Sequence, residues 1–257
     1  MPMLEVDGCS LYYSVQGSGI PIVFIHPPVL TSINFTYQIE ELSKSFKVIT
    51  FDMRGHGRSQ FSHEPITYPL IAQDICCILD HLQIEQAFLC GYSTGGSIVL
   101  EFLQVFASQA LGGIVISGMS EVNDAHLNNK IMLGMRLAKA GAVSILAWSV
   151  SWSNSNTRKL FVKMFKAARR GNAENVEQYY QYSLHYNCTN QLADIKQPIL
   201  VVYGKMDKIF SYYAKRMHEK LPHSDLLGID HVKHQVPTKA AKYLNQSIKG
   251  FIERSHL

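Results

Sequence analysis

The chain of 257 residues can bury a large hydrophobic core, and its 47% hydrophobic and 17% charged content is that of an ordinary globular protein. Its 24 basic and 20 acidic residues give a formal net charge of +4, and these charges are scattered, which argues against a nucleic-acid partner. The five cysteines include no C-x-x-C pair, which argues against a disulfide framework and a zinc ribbon.

No segment has the pattern of an export signal or a membrane span. Residues 1–7 lack the basic and apolar pattern of a signal peptide, so we expect a cytoplasmic protein. The longest apolar stretch, residues 140–152, is interrupted by serines and is shorter than the roughly 20 residues that cross a bilayer. We expect no membrane partner and interpret this stretch as a buried or lid helix.

Short apolar runs alternate with amphipathic segments over the first 120 residues. The runs predict strands, several of them apolar on both faces, at 11–16, 20–26, 47–52, 87–91 and 112–117. The repeat of apolar residues predicts helices at 35–44, 68–82 and 95–106. This alternation indicates an α/β layered domain. The loop Gly17-Ser18-Gly19 lacks the third glycine of a dinucleotide-binding fingerprint, so we expect a hairpin loop there.

The alternation stops at residues 122–194, a helical block rich in Met, Phe, Trp and Tyr. It resumes with strands at 199–203 and 226–229 and helices around 212–221 and at 239–251. A helical insertion predicts a cap over the carboxyl edge of the sheet, where open α/β sheets bind ligands. We therefore expect a core domain of residues 1–121 and 195–257 and a helical cap of residues 122–194.

A single serine lies between two glycines in Gly91-Tyr92-Ser93-Thr94-Gly95, where an expected strand meets an expected helix. A sharp turn there forces the serine into a strained backbone conformation, and the glycines relieve the crowding around it. The Ser93 hydroxyl would lie at the top of the sheet, with the Thr94 N–H free to donate to a developing oxyanion. The pattern therefore indicates a nucleophilic serine.

Further segments match one family: His26 at a strand end, residues 52–59 (DMRGHGRS), the Ser93 turn, residues 203–207 (YGKMD) and a late histidine. On these segments nearly the whole chain resembles the α/β-hydrolase family, in its branch of capped esterases, haloperoxidases and carbon–carbon hydrolases. The resemblance implies a mostly parallel eight-stranded sheet flanked by helices, with the helical cap inserted after the sixth strand. It also implies that Arg54 and His56 shape a loop and take no part in the reaction.

The family carries its catalytic groups in the chain order Ser, acid, His. The resemblance makes Asp207 the acid, because it directly follows a strand, and leaves Glu121 as the lower-ranked alternative. It makes His234 the base, with His231 as the alternative. A metal site at these histidines and Asp230 is disfavoured, because helical i, i+4 spacing and a third clear ligand are absent. We expect no metal and no cofactor.

The loop His26-Pro27-Pro28-Val29 departs from the family pattern, in which the residue at position 28 donates its backbone N–H to the oxyanion. Proline has no N–H to donate. We expect the loop to be turned by one residue, so that the N–H groups of Val29 and Thr94 form the oxyanion hole. The residues expected to contact substrate are His26, Pro28, Tyr92 and Trp148.

The apolar cap favours a small or medium ester with an uncharged acyl group and disfavours a large polymer. The sequence thus predicts a serine-dependent, carboxylesterase-like hydrolase with a small-molecule substrate, as a monomer or homodimer. Lactone hydrolysis, carbon–carbon hydrolysis and perhydrolysis use the same catalytic groups and stay open. The alternative from another class is a ligand-sensing or regulatory protein that keeps the fold with little turnover.

Overall fold

The computed structural model describes residues 2–255. The described strands are β1 (Met3–Val6), β2 (Cys9–Gln16), β3 (Pro21–Ile25), β4 (Lys47–Phe51), β5 (Ala87–Tyr92), β6 (Ala110–Ile116), β7 (Ile199–Gly204) and β8 (Ser224–Ile229). They form one sheet in the order β1-β2-β4-β3-β5-β6-β7-β8. The β1–β2 and β2–β4 pairs are antiparallel and the other pairs are parallel. The predicted eight-stranded, mostly parallel sheet is confirmed.

The central strands are covered on both faces. Every residue of β5 and of β7 is buried, and their sequences, AFLCGY and ILVVYG, contain no charged side chain. Such uniformly buried strands are typical of a parallel sheet between two helix layers. The edge strand β1 differs, because only Val6 among its four residues is buried. It has no apolar run, which explains why the sequence analysis placed no strand there.

The loop Gly17-Ser18-Gly19 is not the hairpin loop that the sequence analysis predicted. It connects β2 and β3, but these strands are not neighbours, since β4 lies between them. Gly17 has a φ of +79°, and a Cβ added there would collide with the backbone carbonyls of Ser43 and Phe46. Glycine is therefore required by a left-handed backbone and by the close approach of another segment.

Helices cover the sheet and fill the long insertion. Within residues 2–255 the α-helices are α1 (Thr36–Leu42), α2 (Tyr68–His81), α3 (Thr94–Val105), α4 (Ala125–Lys139), α5 (Val143–Asn154), α6 (Arg158–Ala168), α7 (Ala173–His185), α8 (Lys208–Lys220), α9 (Val236–Lys239) and α10 (Ala241–Ser255). The helix predicted over 239–251 corresponds to α10, and Lys239 ends the short helix α9 before it. In this part of the chain no helix is long and apolar enough to cross a bilayer.

Two hydrophobic clusters lie on opposite faces of the sheet. On one face, α2, α3 and α8 contribute Ile71, Phe102 and Met217 to a cluster with the strands. On the other face, α1 and α10 contribute Leu42 and Ile248 to a second cluster. Since burial of apolar area is the dominant favourable contribution to folding, these clusters hold the strand ends, and the loops after them, in place.

The four helices α4 to α7 lie between β6 and β7, where the cap insertion was predicted. The stretch predicted as a buried or lid helix forms most of α5, and it is buried on one side only. Leu146 and Ala147 are buried, whereas Trp148 and Trp152 are exposed. The division of the chain into a core domain and a cap domain stays a prediction.

Buried polar contacts shape the loop after β4. The Asp52 carboxylate accepts hydrogen bonds from the N–H and the hydroxyl of Ser32, at 2.9 and 2.7 Å. Arg54 forms an ion pair of 2.7 Å with Asp74 of α2, and both side chains are buried. The Nδ1 atom of His56 lies 3.0 Å from the Arg54 carbonyl oxygen. These contacts fit the loop-shaping function that the resemblance implies for this segment.

Candidate active site

Ser93 occupies a sharp turn between β5 and α3. Its φ of +56° and ψ of −125° are a strained backbone conformation for a residue other than glycine. A Cβ at Gly91 would collide with the carbonyl of Gly95, and a Cβ at Gly95 would collide with the carbonyl of Ile25. The two glycines therefore permit the close approach of strand, turn and helix that presents the serine.

His234 lies in the loop between β8 and α9 and faces this serine. Its Nε2 atom is 3.1 Å from the Oγ atom of Ser93, which is hydrogen-bond distance. The imidazole packs between two aromatic rings, with centroid distances of 4.1 Å to Phe210 and 5.2 Å to Tyr92. These rings restrict the orientation of the imidazole, so the structure holds a candidate base against the candidate nucleophile.

Asp207 lies three residues after the end of β7 and is the N-cap residue of α8. Its Oδ1 atom accepts a hydrogen bond from the Phe210 N–H at 3.2 Å, and its Oδ2 atom lies 3.5 Å from Nδ1 of His234. That separation is longer than the usual N–H···O distance of about 2.9 Å, and Nδ1 has no other partner within residues 2–255. Asp207 therefore caps a helix and places a carboxylate beside the imidazole.

The alternative acid, Glu121, contacts other residues, and the alternative base, His231, is exposed. The Glu121 carboxylate pairs with Arg216 at 2.7 Å and accepts a hydrogen bond from Asn187 at 2.9 Å. Asp230 pairs with Lys205, at 3.1 Å. Over residues 2–255 no group of three His, Cys, Asp or Glu side chains is placed to hold a metal ion.

Burial and nearby charges determine the protonation states of Asp207 and His234. Burial acts to raise the pKa of Asp207, but His234, the Phe210 N–H and the Lys130 charge together hold it below its ordinary value of 3.8. Burial lowers the pKa of His234 below 6.5; Asp207 acts to raise it, and Lys130 acts to lower it. At neutral pH the pair is therefore a carboxylate beside a neutral imidazole, which can accept a proton.

The two backbone N–H groups expected to form the oxyanion hole have no acceptor among residues 2–255. One belongs to Thr94, the first residue of α3, and the other to Val29. Val29 has a φ of +71°, in the left-handed region, and its function as an oxyanion donor stays a prediction. Its side chain is buried in a small cluster with Leu146 and Val176 of the insertion. Both N–H groups are thus candidates for binding an oxyanion.

A cavity of about 490 Å³ opens beside Ser93. Most of its wall is apolar and comes from α4 and α5, including Leu127, Ile131, Leu137 and Leu146. Its lining includes the basic side chain of Lys130 and the neutral imidazole of His234, and among the described residues no acidic side chain. An apolar cavity with few polar groups suits a small, largely uncharged ligand.

Pro28 and Tyr92, two of the four residues predicted to contact substrate, line this cavity. Trp148 does not, and the prediction for it was wrong. It is 53% exposed and stacks on Trp152, with ring centroids 5.9 Å apart, because both residues lie on the outer face of α5. The sequence pattern could not show which face of the helix the aromatic residues occupy.

His26 also does not line the cavity, which corrects its predicted substrate contact. Its Nε2 accepts a hydrogen bond from the Met53 N–H at 3.0 Å, and its Nδ1 donates to the Pro27 carbonyl at 2.9 Å. Burial lowers the pKa of His26 to about 4, against the opposite effect of the Pro27 hydrogen bond, so the ring is neutral. His26 therefore braces the loop that carries Val29.

Insertion residues that the sequence analysis did not select also reach the site. The Tyr179 hydroxyl of α7 donates to the His26 carbonyl at 3.1 Å and lies 3.3 Å from the Thr94 hydroxyl. The Asn154 side chain of α5 accepts a hydrogen bond from the Tyr92 hydroxyl at 2.9 Å. No motif surrounds these residues, so only the packing of the insertion on the sheet reveals them.

The family of the chain follows from comparison with known proteins. The sequence model of a family described as alpha/beta hydrolase fold matches residues 20–237. The chain belongs to this family. A relative, the AB hydrolase superfamily protein YisY of Bacillus subtilis (strain 168), is 26% identical over 260 residues, which are 94% of this chain and 95% of that protein.

Solved structures of the alpha/beta hydrolase fold superpose closely on the chain. A thermophilic esterase from Thermogutta terrifontis matches with a TM-score of 0.86 at 21% identity, over 99% of this chain and 97% of that one. The enol-lactonase from Burkholderia xenovorans LB400 matches with a TM-score of 0.87 at 18% identity, over 98% of this chain and 100% of that one. The family and its members support a hydrolase; at these identities the structures show the shared fold.

Proposed function

We propose that the chain is a serine-dependent carboxylic ester hydrolase acting on a small to medium, largely apolar ester. The observation that carries the proposal is the 3.1 Å separation between Oγ of Ser93, in its strained turn, and Nε2 of a partly buried His234. The adjoining apolar cavity supports an uncharged acyl group. Two of the structures that superpose on the chain are of an esterase and of an enol-lactonase, which is compatible with this chemistry.

In the proposed mechanism, Oγ of Ser93 attacks the ester carbonyl carbon while Nε2 of His234 takes the hydroxyl proton. The negative charge that forms on the carbonyl oxygen is stabilised by the N–H groups of Thr94 and Val29. The tetrahedral intermediate collapses, the alkoxide leaves with the proton from His234, and an acyl-serine remains. Asp207 stabilises the imidazolium, and the 3.5 Å gap to Nδ1 shortens when the ring becomes charged.

In the second half of the reaction a water molecule enters the position that the alcohol has left. His234 takes a proton from this water, whose oxygen attacks the acyl carbon. The second tetrahedral intermediate expels Oγ of Ser93, which recovers its proton from His234, and the carboxylic acid product departs. None of these steps requires a metal or a cofactor. Lactones, carbon–carbon bonds next to carbonyls and peracid formation would use the same groups.

A specific observation favours a second candidate, a ligand-binding protein with slow turnover. Pro28 has no N–H, and the loss of one oxyanion donor in other serine hydrolases costs about 100-fold or more in kcat. If Val29 does not replace that donor, the site would bind or acylate without sustained turnover. Tight ligand binding with a ligand-dependent change in the exchange of the α4 and α5 amides would favour this candidate.

The test is burst kinetics on short-chain nitrophenyl esters with the purified protein and with Ser93→Ala, together with mass detection of a phosphonate adduct. We expect sustained turnover, a fall of at least about 1000-fold in the variant, and an adduct on Ser93. Ser97→Ala is the matched control, because Ser97 lies on the same helix, α3, and its hydroxyl donates to the Met119 carbonyl, so this variant should lose little activity. Equal turnover by Ser93→Ala would refute the proposal.

A further inference from the structure

The basic residues of the chain are concentrated in the insertion. Between residues 125 and 173 there is no acidic residue, and there are nine basic ones: Lys130, Arg136, Lys139, Arg158, Lys159, Lys163, Lys166, Arg169 and Arg170. The rest of the chain has 15 basic and 20 acidic residues. Residues 125–173 are therefore strongly positive, and the rest of the chain is negative. The expectation that the charges are scattered was wrong.

The helix α6 carries four of these basic side chains, and Arg169 and Arg170 directly follow it; all six are exposed. Lys159, Lys163 and Lys166 follow one another at helical spacings of four and three residues, so they point to one side. Within residues 2–255 none of the six forms an ion pair with an acidic side chain. Their charge is therefore not neutralised within the protein.

Large apolar side chains are exposed beside these charges, in a patch that we name the outer face. Its members are Leu133, Ile145, Trp148, Trp152 and Val162, exposed by 59, 63, 53, 63 and 39%. Trp152 also packs edge-on against Phe161 of α6, with ring centroids 5.6 Å apart, which joins the aromatic residues of α5 and α6. Several large apolar side chains exposed on neighbouring helices are a candidate interaction site.

We propose that the outer face, with the basic side chains of α6, docks the protein on an anionic lipid surface. Tryptophan and aliphatic side chains enter the interface between headgroups and acyl chains, while lysine and arginine bind the anionic headgroups. The earlier expectation of no membrane partner rested on the lack of a spanning segment, and peripheral docking needs none. The proposal stands apart from the proposed hydrolase activity, because docking needs no turnover.

The position of the cavity and the sign of the charge distinguish lipid from other partners. Leu133 and Ile145 belong both to the outer face and to the wall of the cavity beside Ser93, so docking would bring the cavity mouth to the lipid. A second copy of the chain would bring like charges together, which is unfavourable. A nucleic acid would leave the exposed aliphatic side chains without an apolar environment.

The test is co-sedimentation of the full chain with vesicles of phosphatidylcholine alone and of phosphatidylcholine mixed with phosphatidylserine, at physiological salt. We expect binding to the mixed vesicles and little to the neutral ones. Each lysine near an anionic surface contributes roughly fivefold to partitioning, so Lys159→Gln/Lys163→Gln/Lys166→Gln should weaken binding by about 100-fold. Trp148→Ala/Trp152→Ala should also weaken binding to the mixed vesicles. Because all the substituted side chains are exposed, neither variant should change the melting temperature.

Matched controls remove lysine and aromatic side chains from the surface outside the insertion. Lys196→Gln/Lys215→Gln/Lys220→Gln removes three exposed lysines outside the insertion, and Tyr212→Ala removes an exposed aromatic ring of α8. Both controls should bind mixed vesicles as the parent does. Failure to bind mixed vesicles, equal loss in the control triple, tighter binding to a single-stranded RNA, or self-association through the tryptophans in light scattering would each overturn the proposal.

Discussion

At the scale of single residues, the protonation of His234 decides when the candidate site can work. A base must be neutral to take the Ser93 proton, so kcat/KM falls as the pH drops through the pKa of the imidazole. That pKa lies below 6.5 because burial disfavours the charged ring, with Asp207 acting against this effect. We therefore expect the acidic limb of the pH profile to lie below that of an ordinary histidine.

A substitution at Lys130 should shift the acidic limb of the pH profile of kcat/KM. Its positive charge acts to lower the pKa of His234, so Lys130→Met should raise this pKa and shift the acidic limb of kcat/KM to higher pH. The measurement is a pH–rate profile on an uncharged ester. Lys139→Met on the same helix is the control, because Lys139 is exposed and pairs with Glu177 at 3.4 Å. A limb that stays in place, or moves to lower pH, would contradict the assignment of this effect to Lys130.

At the scale of elements, a buried ion pair ties the loop after β4 to α2. Arg54 donates hydrogen bonds to both carboxylate oxygens of Asp74 at 2.7 to 3.0 Å. Burying two charges brings little net stability, but leaving one of them without its partner is costly. The main effect of the Arg54–Asp74 pair is therefore to hold the loop after β4 in one conformation beside the site. Removing one partner should show this effect.

Asp74→Asn tests the contribution of this buried ion pair to stability. The substitution keeps the shape of the side chain and leaves the Arg54 charge buried without a counter-charge, so the free energy of unfolding should fall by about 3–5 kcal/mol in urea titrations. Asp80→Asn on the same helix is the control, because Asp80 is exposed and bonds to Gln109 near the surface, and it should change stability by less than about 1 kcal/mol. Similar values for the two variants would mean that the buried pair is dispensable.

At the scale of the whole molecule, α7 joins the insertion to the loops around the site. Asn175 is buried, accepts a hydrogen bond from the Ser62 N–H at 2.7 Å and donates one to the Ser62 carbonyl at 3.1 Å. Tyr179, one helical turn later, reaches the His26 carbonyl. The same helix therefore contacts the loop after β4 and the loop after β3, and its position affects both.

Asn175→Ala should loosen this connection. Two backbone groups of Ser62 would lose their buried partner, so we expect the free energy of unfolding to fall by about 1–3 kcal/mol. Hydrogen exchange should become faster in α7 and around Ser62, with little change in β5 and β7. Asn129→Ala, at an exposed position of α4, is the control. Unchanged exchange in α7 would show that apolar packing alone holds the insertion in place.

Much of the fold could be predicted from the sequence because its signals are local. Apolar runs and helical repeats located seven of the eight strands and most helices, and the glycines around Ser93 indicated the strained turn, since neighbouring atoms decide both. The edge strand β1 was not predicted because only one of its four residues is buried. The prediction of a hairpin loop at Gly17 was wrong because β4, which follows β3 in the chain, lies between β2 and β3 in the sheet.

The sequence by itself determined which residue types stand at the strand ends, and so the list of candidates for nucleophile, acid and base. Only the tertiary structure decided which of them meet: His234 lies against Ser93, while Glu121 is held by Arg216 and His26 braces a loop. It also decided which face of α5 is exposed. The physical reason is that distances between residues far apart in sequence follow from how helices and strands pack, and no local pattern contains that information.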